Sequence, residues 1–381
     1  MSVTSKGKYL KIACAMALGA SAFFASVSQV KAADAISIGT GQSINTDASV
    51  AMSASADSAI KALGSKTATV VLAWVDSGSE AGFSVLAAKF ATTTKIYGFS
   101  ARHATTQAGR DQMAAVFAFA GQISASHSIV PHGTDYQNAG SQIGTALKAV
   151  TTGANDGKLF ILAGDCNNPL DNQVTTGFLQ TYGNNSAWIT GGSTGKAFAG
   201  GQIISSSILG IILYGAFDCK FGFVQGSTVT PSLTALTNAT DATKKPTMSI
   251  IFNCISRYES MGASGLTTEM TYFKQSLGTA PFLSAYGLGE IGKANLTATA
   301  YGTGGAISVA NIYTRASTAI AFENSPSIST QQIPSLISSK STAQYRINGT
   351  IAKSIATQPA GVIVTKEGAK NIKVNSKAVV K

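Results

Sequence analysis

The chain has 381 residues, a formal net charge of +11 and a hydrophobic fraction of 45%. This composition excludes a disordered chain, because disordered chains are poor in apolar residues and rich in charge. The basic excess lies at the ends: residues 1–32 hold four lysines and no acid, and residues 340–381 hold eight basic residues and one acid. The region between is formally neutral, whereas nucleic-acid-binding proteins concentrate basic charge on a folded face. The charge pattern therefore argues against nucleic acid as a partner.

The N-terminal segment predicts a secretory signal peptide over residues 1–32. Three lysines come before or at the start of an uncharged run from Ile12 to Val27, and Val30-Lys31-Ala32 fits a small-x-small cleavage site. The run is shorter than the roughly 20 apolar residues that a transmembrane helix needs. We therefore predict an exported protein, at the cell surface, secreted or periplasmic, with no integral membrane segment after cleavage.

Three copies of one structural unit follow, in which Asp76, Asp165 and Asn253 end equivalent buried strands. The predicted elements of repeat one are a helix over 47–63, a strand over 69–76, a helix over 80–90, a strand over 94–97 and a late strand over 113–119. Those of repeat two are a helix over 135–150, a strand over 158–165, a helix over 170–182, a strand over 186–190 and a late strand over 208–214. Those of repeat three are a strand over 247–253, a helix over 266–277, a strand over 281–286 and a late strand over 316–322.

Repeated strand–helix–strand units with antiparallel additions predict an α/β fold, in which pseudo-symmetric mixed sheets are covered by helices. Ligands of such sheets favour the crevice at the carboxyl ends of the strands. The residues that we expect to gather there come from strand ends and Gly-rich turns: Asp76, Ser100, Asp165, Ser193, Asn253, Gly287 and Gly289. The alternative for each acid is a helix N-cap, and for each glycine a purely conformational role.

A family resemblance is carried by Asn253-Cys254-Ile255-Ser256-Arg257, by a helix with Glu269, and by Tyr286-Gly-Leu-Gly-Glu-Ile-Gly292. These segments resemble the C-terminal half of the FIST family of sensory domains, and residues 45–324 follow the pattern of both FIST halves. The resemblance implies an exported sensory or solute-binding module for a small ligand, such as an amino acid. It implies no cofactor.

Arg257 and Glu290 are the charged residues that suit such a ligand. A guanidinium just past a strand end can hold a carboxylate with two hydrogen bonds, and Glu290 lies among three glycines that let backbone approach closely. An arginine and a glutamate together suit a zwitterion, with Cys254 as a wall of the site. The alternative is that Arg257 and Glu290 pair with each other as a structural ion pair.

The C-terminal segment differs from the repeats in composition. The predicted division is a signal peptide (1–32), a FIST N-like region with two repeats (33–240), a FIST C-like region with the third repeat (241–324), a linker rich in Ser, Thr, Gln and Pro (325–344) and a small basic β tail (345–381). The tail resembles the sorting signal of type IX secretion substrates, which implies delivery to the cell surface or the medium. Otherwise it is a small β appendage, and the surface or signalling partner is left unspecified.

The remaining sequence features weigh against catalysis. Cys166, Cys219 and Cys254 leave three disulfide pairings open, among which Cys166–Cys254 joins similar places in two repeats. No zinc-ligand spacing is present. Ser100 or Ser193 with His103 is the best available pairing for a hydrolase. The segment Gly191-Gly-Ser193-Thr-Gly195 matches the nucleophile-elbow pattern, but no convincing helix follows it. We therefore expect a ligand-binding protein that is not an enzyme. A surface structural or adhesion protein without a ligand, and a serine hydrolase, are the alternatives.

Overall fold

The computed structural model describes residues 35–165, 170–183, 188–295 and 297–315, with four short strands in the C-terminal segment. The predicted signal peptide, Cys166 and the predicted late strand over 316–322 lie outside the described residues. The chain divides into two compact units, Met1–Thr318 and Ala319–Lys381. The finer domain boundaries stay a prediction.

Each repeat of the first unit has the same order of elements. Repeat one contains β1 (Ser37–Ser43), α1 (Ala48–Leu63), β2 (Val70–Asp76), a 3-10 helix (Glu80–Val85) that continues into α2 (Leu86–Lys89), β3 (Lys95–Ala101), β4 (His103–Thr106) and β5 (Ala114–Ala120). Repeat two contains β6 (Ile123–Pro131), α3 (Tyr136–Lys148), β7 (Gly157–Gly164), α4 (Leu170–Tyr182), β8 (Ile189–Ser193), β9 (Ala197–Ala199), β10 (Gln202–Ile204) and β11 (Ser207–Gly215).

Repeat three contains β12 (Phe217–Gln225), α5 (Thr230–Asn238), β13 (Met248–Cys254), α6 (Ile255–Leu277), β14 (Phe282–Gly287), β15 (Glu290–Gly292), β16 (Tyr301–Thr303) and β17 (Ala306–Thr314). Helix α6 is interrupted at Gly262, which has a φ of 58°. The second unit has strands β18 (Gln344–Tyr345), β19 (Ile351–Ala352), β20 (Thr365–Glu367) and β21 (Asn371–Lys373).

Two features of the repeats differ from the sequence-based prediction. The first strand of every repeat was missed. Strands β1 and β6 are rich in small and polar residues and only partly buried, and β12 has Asp218 and Lys220 between its apolar residues. The last described strand of repeat three is β17, which the sequence analysis did not predict, and the predicted run over 316–322 lies outside the described residues. Strand β17 is almost fully buried, and it lies earlier in the chain than the predicted run.

The three repeats form three mixed sheets that exchange strands. Their strand orders are β1-β5-β2-β3-β9-β10, β6-β11-β7-β8-β15-β16 and β12-β17-β13-β14-β4. Repeat two adds β9 and β10 to the sheet of repeat one, repeat three adds β15 and β16 to that of repeat two, and repeat one adds β4 to that of repeat three. Because this exchange closes on itself, the first unit is pseudo-symmetric. The predicted α/β class of helix-covered mixed sheets is confirmed.

The central strand of each sheet alternates between a shared core and an outer helical layer. The residues that face the shared apolar core are Val70, Leu72 and Trp74 on β2, Leu159, Ile161 and Ala163 on β7, and Met248, Ile250 and Phe252 on β13. Phe99 joins the sheets there, with its ring 5.2 Å from that of Trp74 and 6.2 Å from that of Phe252. Burial on both faces explains why these strands appear in the sequence as continuous apolar runs.

The helices of repeats one and two begin where the sequence predicts. The Asp47 carboxylate accepts a hydrogen bond from Val50 N at 2.9 Å, and the Asp135 carboxylate accepts one from Asn138 N at 2.9 Å. Each acid caps a helix that starts at the next residue. Among the described residues, no helix is long and apolar enough to cross a membrane.

Candidate functional site

The turns after β3, β8 and β14 meet at the carboxyl ends of the parallel strands. Backbone hydrogen bonds join every pair of repeats here: Ser100 N to Lys196 O at 2.9 Å, Ser193 N to Gly289 O at 2.8 Å, and Arg102 N to Tyr286 O at 3.0 Å. A Cβ at Gly287 would lie 2.0 Å from the Ser193 carbonyl oxygen. Close backbone approach therefore explains this glycine without any need for a positive φ.

The residues at equivalent strand ends differ from the predicted set by one position in repeat three. In each repeat, the equivalent residue lies two positions after the last core-facing residue of the central strand. These residues are Asp76, Asp165 and Cys254. Asn253 therefore faces the helical layer instead of the crevice, and its place with the two acids was wrong. A shift of one residue moves a side chain to the other face of a sheet.

The two aspartates at the strand ends lie near histidines. Burial raises the pKa of the partly buried Asp76 carboxyl, and the neighbouring His103 opposes that rise. The half-exposed Asp165 carboxylate lies 3.9 Å from His132 Nε2. Neither acid is the N-cap of a described helix, since the 3-10 helix after β2 begins after Ser79 and residues 166–169 are outside the described ranges.

The Ser100 hydroxyl is used to hold the turns together. It donates to Thr194 O at 2.6 Å and accepts from Lys196 N at 2.9 Å. By strand register, Ser193 and Tyr286 occupy the places in repeats two and three that Ser100 occupies in repeat one. Repeats one and two therefore have a serine at this place, and repeat three has a tyrosine.

His103 is held by residues other than Ser100. The His103 ring stacks on Tyr258 with a centroid distance of 4.0 Å, and its Nδ1 lies 3.1 Å from Asp111 Oδ1. Tyr258 OH donates to the same Asp111 oxygen at 2.8 Å. This cluster joins repeats one and three, and it leaves His103 without a hydrogen bond to Ser100 among the described residues.

Arg257 lies in a closed network of buried groups. Its side chain has no exposure to solvent, and Nε donates to Asn253 Oδ1 at 2.8 Å. Nη2 donates to Ser232 Oγ at 2.6 Å and to Glu269 Oε1 at 3.1 Å, and Nη1 donates to Gly226 O. The ion-pair partner of Arg257 is therefore Glu269, and its expected pairing with Glu290 was wrong.

The same contacts argue against Arg257 as a ligand-binding residue. Glu269 also accepts from Ser232 Oγ, from Asn253 Nδ2 at 3.1 Å and from Tyr286 OH. The guanidinium faces these groups between β13, α5 and α6, in the helical layer. A ligand carboxylate could reach it only by displacing an internal partner.

Glu290 is the predicted site residue that remains poorly satisfied. Strand β15 turns its side chain toward the central face of the sheets, and the side chain has no exposure to solvent. Oε2 accepts from Ala306 N at 3.0 Å, but Oε1 has no hydrogen-bond partner among the described residues. Burial, and then the adjacent Cys254 thiol, raise the pKa of Glu290 well above its usual value, so the surroundings disfavour ionisation of this carboxyl.

Asp171 is a second buried acid close to Glu290. It lies in the first turn of α4 and has no exposure. Oδ1 accepts from Asn172 N at 2.8 Å, while Oδ2 has no partner in the described part of the chain. Burial raises the pKa of Asp171 to about 6. We call Glu290, Asp171 and Cys254, with the turn from Gly287 to Gly289, the Glu290 site.

Sequence analysis missed Asp171 and the two lysines on the exchanged strands. Lys196 Nζ lies 3.7 Å from Glu80 of repeat one, and Lys293 is buried, with a pKa lowered by burial. The signal for both is the triplet Gly-Lys-Ala, present at 195–197 and 292–294. Asp171 carries no such signal, because a polar residue in the first turn of a helix is ordinary.

The described cysteines are not joined to each other or to another residue. Cys219 and Cys254 are both free and buried, and Cys166, the third cysteine of the predicted pairings, lies outside the described residues. The Cys254 thiol instead lies 3.1 Å from Ser256 Oγ. No group of three or more His, Cys, Asp or Glu side chains in the described ranges has a geometry that could hold a metal ion.

Comparisons with known proteins yield similar structures but no family. No family model matches the chain, and no curated protein matches it. A cyanuric acid hydrolase from A. caulinodans is similar with a TM-score of 0.42 and 9% identity, over 74% of this chain and 99% of that one. A second cyanuric acid hydrolase structure, described as an evolutionary innovation by structural concatenation, has a TM-score of 0.45 and 7% identity, over 74% and 100%.

These similar structures correct one expectation. Both are enzymes by name, so the prediction that the chain is not an enzyme is wrong and is withdrawn. At these identities and TM-scores the likeness transfers neither an activity nor a substrate to this chain. The FIST resemblance stays a prediction.

Proposed function

We propose that this protein is exported and binds a small ligand with an amino group, such as an amino acid, at the Glu290 site. The observation that carries the proposal is the buried Glu290 carboxyl, whose Oε1 lacks a hydrogen-bond partner among the described residues. Such a group costs about 1–3 kcal/mol when it is left unpaired. Buried acids with displaced pKa values are characteristic of functional sites.

The chemistry of the site favours a ligand that donates hydrogen bonds. Glu290 and Asp171 each have one free carboxyl oxygen, and both pKa values are raised. A ligand ammonium group would satisfy these oxygens and favour ionisation of Glu290, because an opposite charge nearby lowers a carboxyl pKa. Since Glu290 is fully buried, the surrounding turns have to move apart for a ligand to enter.

The amino end of the ligand is the part that this site would recognise. The zwitterion model placed the ligand carboxylate on Arg257, but that guanidinium is held by Glu269 and its neighbours. The proposal therefore keeps Glu290 and omits Arg257 from direct contact. The FIST resemblance around Glu290, and the signal-peptide pattern over residues 1–32, agree with an exported solute-binding or sensory role.

Binding can be tested through the proton that Glu290 holds. The purified protein is screened by thermal shift against L-amino acids and their N-acetyl forms, which lack the ammonium group. Calorimetry in two buffers of different ionisation enthalpy then counts protons. We expect a stabilising amino acid to release protons when it binds, because its ammonium group favours ionisation of Glu290, and we expect its N-acetyl form to have no effect.

The matched variants are Glu290→Gln and Glu259→Gln, of which the second changes an exposed glutamate on α6. Glu290→Gln should weaken binding by about tenfold or more and abolish proton release, while Glu259→Gln should leave both unchanged. If no amino acid stabilises the wild type, the protein does not bind such ligands. A surface structural or adhesion role without a ligand would then be preferred.

A further inference from the structure

A pocket of about 380 Å³ lies at the opposite end of β3 from the turns. It is bounded by the start of β3, by α2 and by the turn between β9 and β10. Lys95 at its edge precedes Ser100 by five residues, which corresponds to about 16 Å along a strand. The pocket is therefore separate from the Glu290 site, and its volume is in the range of small-molecule sites.

One wall of the pocket is polar and uncharged. Tyr97 OH lies 3.4 Å from His127 Nδ1, and the two rings meet edge to face with centroids 5.4 Å apart. Burial raises the pKa of Tyr97. Burial, and then the Lys95 ammonium, lower the pKa of His127. Both rings are therefore neutral at pH 7, and each can exchange hydrogen bonds with a ligand.

The rest of the lining includes apolar side chains, and among the described lining residues the charged one is Lys95. Ala87, Ile96 and Phe198 provide aliphatic and aromatic surface. Lys95 is exposed, and no ion pair of the described residues includes it. No carboxylate is among the residues that line the pocket. A ligand that fits this arrangement has an apolar body and one anionic group.

We propose that this pocket is a second binding site, which takes small carboxylates with an aromatic or aliphatic body. The apolar body lies among the apolar residues that line the pocket, and the carboxylate reaches the exposed Lys95 ammonium. This arrangement removes the apolar body of the ligand from water and gives its carboxylate a charged hydrogen-bond donor. It does not depend on the function proposed for the Glu290 site.

The experiment uses phenylacetate and its uncharged analogue phenylacetamide as probes of the purified protein. Binding is followed by calorimetry up to about 10 mM, because weak fragment binding lies in the millimolar range. We expect phenylacetate to bind and phenylacetamide to bind about tenfold more weakly, since the amide loses the charge-assisted hydrogen bond.

The variants compare two exposed lysines. Lys95→Met should reduce phenylacetate affinity by about tenfold, to the level of the amide, whereas Lys61→Met on α1 should leave it unchanged. Glu290→Gln should also leave the affinity for phenylacetate unchanged. The proposal is overturned if phenylacetate does not bind, if it binds no better than the amide, or if Lys95→Met and Lys61→Met behave alike.

Discussion

Replacing Arg257 by alanine tests whether this residue is structural or ligand-binding. The substitution removes four hydrogen bonds, from Nε to Asn253, from Nη1 to Gly226 O, and from Nη2 to Ser232 and Glu269. It leaves the Glu269 carboxylate, which is 1% exposed, without a cation. We expect Arg257→Ala to destabilise the protein strongly, whatever ligand is present.

The magnitude follows from the burial of the pair. Removing one partner of a buried ion pair costs about 3–5 kcal/mol, because the remaining charge stays buried without compensation. Glu269 keeps its hydrogen bonds from Ser232, Asn253 and Tyr286, so we expect a loss of about 4 kcal/mol. Arg315 supplies a matched control, since it pairs with Asp218 at 2.6 Å with both side chains about one-third exposed.

Urea unfolding of the wild type, Arg257→Ala and Arg315→Ala provides the measurement. Arg315→Ala should cost about 1 kcal/mol or less, as expected for an exposed pair. In the double variant Arg257→Ala/Glu269→Ala, the loss should be smaller than the sum of the single losses by about 1–3 kcal/mol. If Arg257→Ala costs no more than Arg315→Ala and lowers only ligand affinity, the structural interpretation is refuted.

Two further predictions concern α4. Burial raises the pKa of Asp171 from 3.8 to about 6, so its ionised form opposes folding above about pH 6, and this cost disappears as the pH falls toward 4. Relative to wild type, the free energy of unfolding of Asp171→Asn should rise by about 2–2.5 kcal/mol between pH 4 and pH 7.5. An identical difference in urea unfolding at both pH values would contradict the assignment. A Cβ at Gly177 would lie 1.8 Å from Gln137 O on α3, so Gly177→Ala should lower the free energy of unfolding by about 3 kcal/mol or more. In the same assay, the control Thr176→Ala changes an exposed residue and should stay within about 0.5 kcal/mol of wild type. Equal stabilities of the two variants would show that α3 and α4 can separate freely.

Local patterns in the sequence were sufficient to identify much of the repeat. The apolar runs over 69–76, 158–165 and 247–253 predict the central strands, because a strand buried on both faces excludes polar residues from its middle. Asp47 and Asp135 mark two helix starts, since an N-cap acts within a few residues of itself. The first strands β1 and β6 escaped, because their small and polar residues are stabilised by pairing with β5 and β11.

Prediction of the candidate site depended more on which face of a strand each residue occupies than on its residue type. Asn253 and Cys254 are adjacent, yet they lie on opposite faces of β13. An alignment error of one residue therefore assigned Asn253, which faces the helical layer, to the crevice. Glu290 was selected from its glycine neighbours, and the structure places it beside Cys254. The sequence carried no signal for Asp171, which reaches this site from the start of a different helix.

What the sequence by itself determined is the repeated order of strands and helices, because hydrophobic periodicity and capping are local properties of the chain. Only the tertiary structure decided which repeats exchange strands and which charges become partners. Arg257 pairs with Glu269 because both residues lie on α6. Glu290 lies on β15, the strand of repeat three that joins the sheet of repeat two. Such pairings depend on the paths of distant segments, and no local pattern encodes them.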